Sequence, residues 1–308
     1  MLDSARVGET EDGLPIVSTV EDALRFGPTT ALVGVATQGG RFPDAWRELL
    51  KSSIASGLDI ENGLHEFISD DPELVELAHR SGVELRDLRR PPAGLSVPTG
   101  ENLTHPAKVV LTVGSDCAIG KMTVSLELDA EARRRGVASE FVPTGQTGMA
   151  IAGWGIAVDA VVADFIAGAA ETLVLEGVSR GGELLWVEGQ GSLLHPGYSG
   201  VTLGLVHGSA PHAFVLCHQV GQTVIDGDPR FPIPSLRELV ALHERLALIP
   251  RPARVAAIAL NTRDVDEDAA RAAIAAAEAE TGLTADDPVR FGAGRITEIV
   301  LETVVETH

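Results

Sequence analysis

Unbroken apolar runs rich in β-branched residues recur along the chain, each followed by a segment whose apolar positions return every three or four residues. In the first part, Pro15 to Val20, Thr30 to Ala36 and Val83 to Leu88 read as strands, and Asp44 to Ile54 and Asp71 to His79 as helices between them. The second helix opens on Asp70-Asp-Pro, which supplies a capping acid and a proline suited to a first turn. Six further strands are expected at Lys108 to Val113, Ser139 to Val142, Glu183 to Glu188, Ala213 to Cys217, Arg254 to Leu260 and Val289 to Phe291. The longer ones lack polar alternation, as strands buried on both faces do. Strands alternating with helices predict an α/β fold with a mostly parallel sheet.

The pattern breaks once. Pro91, Pro92, Pro98, Gly100 and Pro106 interrupt pairing and remove backbone donors between Arg89 and Pro106. Residues 91–106 are therefore expected to link a domain over 1–90 to a larger one over 107–308. In the second domain, Lys121 to Arg135 reads as a helix with two apolar rows, Met122, Leu126, Ala130 and Val124, Leu128, Ala132, packed on a sheet. Arg133, Arg134 and Arg135 before Gly136 place cations at the negative end of that helix and a glycine at its stop. That run is punctuation, not a nucleic-acid patch. Asp268 to Glu280 reads as an amphipathic helix.

Composition narrows the function classes. A formal charge of -20 on 308 residues argues against a broad basic surface for nucleic acid. The two cysteines, Cys117 and Cys217, have no zinc-site or disulfide-framework spacing and fit a reducing compartment. No apolar run reaches the ~18 residues of a membrane span, and Met1 to Val20 carries several acids and no apolar core region. A cytoplasmic protein without membrane or nucleic-acid partners is expected.

The strongest chemical signal is Gly114-Ser115-Asp116-Cys117-Ala118-Ile119-Gly120-Lys121-Met122-Thr123, running from a buried strand through a small-residue turn into a helix. In such a loop the backbone N–H groups point inward, the helix start adds positive dipole, and a lysine reaches the phosphates. Met122 stands where Ser or Thr normally holds magnesium, and its thioether offers no oxygen to a hard cation. Glu188, flanked by Gly189 and Gly191, follows a later strand, where an acid holds magnesium or accepts a proton. Gly145, Gln146, Thr147, Gly148, Gln190 and the loops at His195 and His207 would line the same cleft, the two histidines as candidate bases.

The loop at Gly114 to Lys121, together with Val187-Glu-Gly-Gln-Gly, resembles dethiobiotin synthetase. A resemblance covering nearly the whole chain is to the D-glutamate N-acetyltransferase family, long catalogued as a P-loop domain of unknown function. It rests on Gly63-Leu-His-Glu-Phe, Asp70-Asp-Pro-Glu-Leu, Arg89-Arg-Pro-Pro, the Cys117 loop, Gly145-Gln-Thr-Gly, Asp164-Phe-Ile-Ala-Gly-Ala-Ala-Glu, Val187-Glu-Gly-Gln-Gly-Ser-Leu, His195-Pro and His207-Gly-Ser-Ala-Pro. It implies a Rossmann-like N-terminal domain, here lacking a strand and helix the family usually has first, and a P-loop C-terminal domain. The implied reaction moves acetyl from acetyl-CoA to the amine of D-glutamate.

On this reading Lys121 and the loop amides hold the CoA phosphates, Glu188 or His195 is the base, and the Gly145 to Gly148 turn supplies oxyanion donors. Gln190 and His207 would help seat the amino acid. The enzymatic alternative is an ATP-dependent ligase or kinase with magnesium on Asp116, Thr123 and Glu188; the non-enzymatic one is a nucleotide-binding switch. A homo-oligomer is possible, with Val201 to Val206 serving as interface or as core.

Overall fold

The computed structural model describes residues 8–9, 13–34, 42 and 44–306. The chain forms two compact units, Met1–Arg90 and Pro91–His308. In the first, β1 (Gly8–Glu9) pairs antiparallel with β2 (Pro15–Ile16), and α1 spans Val20–Leu24. The expected strand over Pro15 to Val20 is thus cut short, because Thr19 accepts the Asp22 N–H and caps α1. A parallel sheet follows in the order β3 (Thr30–Val33), β4 (Asp59–Asn62), β5 (Leu85–Asp87), with α2 (Asp44–Ala55) and α3 (Pro72–Ser81) as crossovers. Ala36, the expected end of the β3 run, lies outside the described residues. Asp71 caps α3 by accepting from Glu73 and Leu74 N–H, Pro72 sits in its first turn, and Gly82 closes it at φ 68°. Leu50, Ile54, Ile60, Ile68, Leu74 and Ala78 form the core of this unit.

The second unit carries six parallel strands: β6 (Lys108–Gly114), β7 (Ser139–Val142), β8 (Leu184–Val187), β9 (Ala213–Gln219), β10 (Arg254–Asn261) and β11 (Thr284–Asp286). Their order is β11-β10-β9-β6-β8-β7, so the chain leaves β6 toward β7 and β8 and later crosses to its other side. The C-terminal end of β6 is therefore the switch point at which such sheets bind ligands. The helices are α4 (Lys121–Arg134), α5 (Gln146–Ala152), α6 (Ile166–Ser179), α7 (Ser199–Ser209), α8 (Leu236–Leu246), α9 (Glu267–Thr281) and α10 (Gly294–Glu306). β6 shows why the run is unbroken: Val109, Leu111 and Val113 join the core with α6, α7, α8 and α9, while Val110 joins the opposite core with α4 and α10.

Three expectations change. On α4 the row Val124, Leu128, Ala132 is buried, whereas Ala130 faces solvent and Met122 and Leu126 are half-buried. Residues 91–106 pack on the second unit: Thr99 and Gly100 donate N–H bonds of 2.5 and 2.6 Å to buried Glu171, and Asn102 donates to the Gly208 carbonyl at 2.7 Å. The last strand lies at Thr284–Asp286, not Val289 to Phe291, because the Asp287 carboxylate accepts the Val289 and Arg290 N–H groups and curls that segment into a turn. Within Val201 to Val206, Thr202, Leu205 and Val206 are buried in α7 as core. Arg133, Arg134 and Arg135 pair with Asp129, Glu140 and Glu131, two of these acids lying on their own helix, as local punctuation requires. None of the described helices is long and apolar enough to cross a membrane.

Candidate active site

The turn from β6 into α4 has the backbone of an anion cradle. Gly120 adopts φ 106° and Ala118 φ 53°, in the left-handed region, and no side chain caps the start of α4. The first four N–H groups of a helix have no intrahelical partner, so this one offers donors. A Cβ at Gly114 would stand 2.6 Å from Ile119 Cδ1, which explains the glycine at the end of β6. Lys121 is 6% exposed and its Nζ donates to the Asp116 carbonyl at 2.7 Å, inside the loop and not out to solvent. Burial lowers its pKa below that of a free lysine.

The Asp116 carboxylate is consumed by structure. It accepts from Cys117 N–H at 2.7 Å, Gln222 Nε2 at 2.6 Å and Asp226 N–H at 2.7 Å, tying the loop to the segment after β9. Asp226 sits at φ 48° to reach it. Ser115 adds a hydroxyl contact to His218 Nδ1 at 2.9 Å, and Ser192 donates to the Ser115 carbonyl at 3.0 Å. Of the alternative magnesium set Asp116, Thr123 and Glu188, Asp116 lies with Cys117 and His195, their ligand atoms within 4.8 Å of one another. Thr123 is one residue beyond Met122, which turns it about 100° around the helix from the usual magnesium position. Burial raises the Cys117 thiol pKa above its usual value.

Glu188 follows β8 directly and is 5% exposed. Its Oε2 accepts from Thr144 and Gly145 N–H at 2.9 and 3.1 Å. Burial pushes its pKa up to about 7 against these two bonds, with Asp159 adding to the rise and Lys121 opposing it last. The surrounding glycines are sterically required: a Cβ at Gly148 would stand 2.4 Å from Glu188 Oε2, and one at Gly189 1.7 Å from the Thr112 carbonyl. Thr144 Oγ1 returns a bond to the Glu188 carbonyl at 2.8 Å, and Gln190 Nε2 donates to the Thr144 carbonyl and hydroxyl. The amide nitrogen of Gln190 is thus a latch between the β7 and β8 loops. One backbone donor of the expected Gly145 to Gly148 oxyanion turn, that of Gly145, is thus spent on Glu188 alongside the Thr144 N–H, while Gln146 and Thr147 begin α5 beside it.

The histidines separate. His195 is 8% exposed, stacks on Tyr198 at 4.6 Å, and accepts the Gly197 N–H on Nδ1 at 3.0 Å. A neutral ring with Nδ1 accepting carries its proton on Nε2, so His195 presents a donor here and not a base. His207 is exposed near the far end of α7, bonded to the Leu246 carbonyl at 3.1 Å. Eight residues of helix, about 12 Å, separate it from the α7 start, and α7 ends where the chain turns into the N-terminal end of β9. It does not join the site. Arg180 pairs with Glu176 and lies over the Trp154 ring. The partners that sequence reasoning missed, Gln222, Asp226, His218 and Asn261, come from the ends of β9 and β10 and carry no local motif.

Residues 96–297 match the model of the DUF1611 P-loop domain, a domain of unknown function, and residues 3–91 match its Rossmann-like N-terminal companion. The chain belongs to the DUF1611 family. A crystal structure of a DUF1611 family protein from Anabaena variabilis is 42% identical, with a TM-score of 0.92 over 98% of this chain and 90% of that one. Among curated relatives, a D-glutamate N-acetyltransferase from Tritonibacter scottomollicae is 40% identical, covering 91% of this chain and 83% of its own length. Another of that name, from Pseudoalteromonas sp, is 35% identical over 89% of this chain and 82% of its own. This DUF1611 chain therefore combines a Rossmann-like domain with a P-loop domain whose loop, Glu188 and His195 gather at one sheet edge.

Proposed function

We propose that the chain is an N-acetyltransferase that moves acetyl from acetyl-CoA to the amine of an acidic amino acid, D-glutamate first among them. The observation that carries this is the 40% identity, over 91% of the chain, to a relative named for that reaction. The site supports it in two ways. The uncapped α4 start, the left-handed Gly120 and buried Lys121 fit the phosphates of CoA. Glu188, with a pKa of about 7, is poised to exchange a proton near neutral pH.

Acetyl-CoA would supply the acyl group as an activated thioester. Lys121 would leave the Asp116 carbonyl for the phosphates, Glu188 would take a proton from the substrate ammonium so that the amine can attack the thioester carbon, and His195 would donate its Nε2 proton in a hydrogen bond to the developing oxyanion; the C–S bond would then break as the C–N bond is kept, CoA leaving as a thiolate that takes up the proton shed by the amide nitrogen. The magnesium-dependent ligase or kinase alternative is disfavoured by the ligand groups: Asp116 already accepts three bonds and Met122 offers no oxygen.

The test incubates the purified protein with acetyl-CoA and D-glutamate, L-glutamate or D-aspartate, following thiol release and the N-acetyl product by mass spectrometry. D-glutamate is expected to give the fastest turnover without added metal. Tight binding of ATP with magnesium and no thiol release with any amine would overturn the proposal.

A further inference from the structure

The turn that leads into α7 fixes the backbone of His195 tightly. The His195 N–H donates to the Ser192 carbonyl at 3.1 Å, and its own carbonyl accepts the Tyr198 and Ser199 N–H groups at 3.3 and 3.2 Å. Ser192 donates in turn to the Ser115 carbonyl at 3.0 Å, which ties the turn to the phosphate loop. Gly191 lets the turn close, since a Cβ there would stand 2.5 Å from the Tyr198 carbonyl. These bonds set the main chain and leave the imidazole its own side-chain torsions.

Two further contacts remove that freedom. The Gly197 N–H meets Nδ1 at 3.0 Å, a single bond about which the ring can still tilt. The Tyr198 ring closes off the tilt by stacking on the imidazole, 4.6 Å between centroids and 28° between planes. Tyr198 is otherwise poorly accounted for: it is 54% exposed above a histidine that is 8% exposed, so its own burial contributes little. It stands at the N-cap of α7, where short polar side chains are preferred, and supplies no side-chain cap. Among the described residues, every hydrogen bond of Tyr198 runs through its backbone. What the side chain does is cover one face of His195, whose ring lies against Asp116 and Cys117 of the phosphate loop. The negative face of an aromatic ring also favours the positive charge that gathers on an imidazole as its N–H is drawn toward an oxyanion.

Resting on the acetyl-transfer reading above, we infer that Tyr198 is a positioning residue whose ring holds the His195 imidazole so that Nε2–H is presented to the oxyanion. The work is done by the ring and not by the phenol oxygen.

The experiment compares the wild type with Tyr198→Phe, Tyr198→Leu and Tyr198→Ala, circular dichroism confirming that these exposed substitutions leave the fold intact. Steady-state kinetics of acetyl transfer is measured beside nitrogen NMR of the labelled imidazoles, the His195 signals being assigned by their loss in His195→Asn. Tyr198→Phe keeps the ring and is expected to hold kcat within about twofold, with His195 in the Nε2–H tautomer as in the wild type. Tyr198→Leu keeps bulk without a π face, and Tyr198→Ala keeps neither. Both are expected to lower kcat about three- to tenfold, the worth of one aromatic pair, with KM for acetyl-CoA and for D-glutamate within about twofold. In both, the His195 nitrogen shifts are expected to move toward a mixture of tautomers. An undiminished kcat in Tyr198→Leu and Tyr198→Ala, a loss in Tyr198→Phe as large as in Tyr198→Ala, or His195 shifts indifferent to Tyr198 would overturn the inference. The NMR signature needs no turnover, so a tautomer that depends on Tyr198 in a wild type without acetyl transfer would refute the proposed activity and keep Tyr198 as the residue that orients His195. Acetyl transfer that all three variants sustain at the wild-type rate would do the reverse.

Discussion

Glu188→Gln should make the protein more stable and less active at once, and the size of the first effect follows from the site. A glutamate whose pKa rises from 4.5 to about 7 on folding is penalised when ionised. The sign is that of an acid raised by folding: stability is fully present below about pH 4.5, falls as pH rises toward 7, and then levels off. At 1.36 kcal/mol per pH unit the penalty is about 1 kcal/mol at pH 5 and about 3 kcal/mol at pH 8. A glutamine avoids that cost, and its oxygen can accept the Thr144 and Gly145 N–H bonds as Oε2 does. Urea denaturation of both proteins at the two pH values should therefore show a gain that grows by about 2 kcal/mol from pH 5 to pH 8. Acetyl transfer should fall about 10²- to 10⁴-fold, as for loss of a general base, and wild-type kcat/KM should rise with pH to a plateau above about 7. A variant that keeps its turnover would refute the base assignment. A stability gain equal at both pH values would refute the burial argument.

Other positions give sharper or blanker outcomes. Gly189→Ala forces a methyl to within 1.7 Å of the Thr112 carbonyl on the central strand; a loss of at least about 3 kcal/mol is expected, read by thermal melting or by failure to express in soluble form. Asp116→Ala strands the Cys117 and Asp226 N–H groups and the Gln222 amide; it should cost about 3 kcal/mol or more in denaturant and weaken acetyl-CoA binding. His207→Ala should leave acetyl transfer unchanged and alter stability by about 1 kcal/mol or less, since it removes one exposed bond to Leu246.

The central sheet was legible because burial on both faces leaves its strands as unbroken apolar runs, as in Lys108–Gly114 and Arg254–Asn261. β4 was not, since Asp59-Ile-Glu-Asn contains a single apolar residue and takes its place through pairing with β3 and β5. α7 was hidden for a different reason. Its glycines, which suggest loops, are packing devices: a Cβ at Gly204 would stand 2.3 Å from Ile166 Cγ2, and one at Gly208 2.1 Å from the Ala167 carbonyl. The site divides the same way. Lys121 and Glu188 sit in local motifs, but the roles of their neighbours depend on partners a motif does not name. His195 reads as a base until the Gly197 N–H occupies its Nδ1, and Asp116 as a metal ligand until Gln222 and Asp226 are brought to it.

Everything proposed for the cofactor turns on Lys121 and the amides at the start of α4 gripping an anion. Calorimetric titration of acetyl-CoA into the wild-type protein and Lys121→Ala, with matched circular dichroism spectra, tests that grip directly. Loss of one charge-assisted contact should weaken binding by about tenfold or more while the spectrum stays the same. Equal affinity in the two proteins would contradict the account and move the cofactor away from this loop.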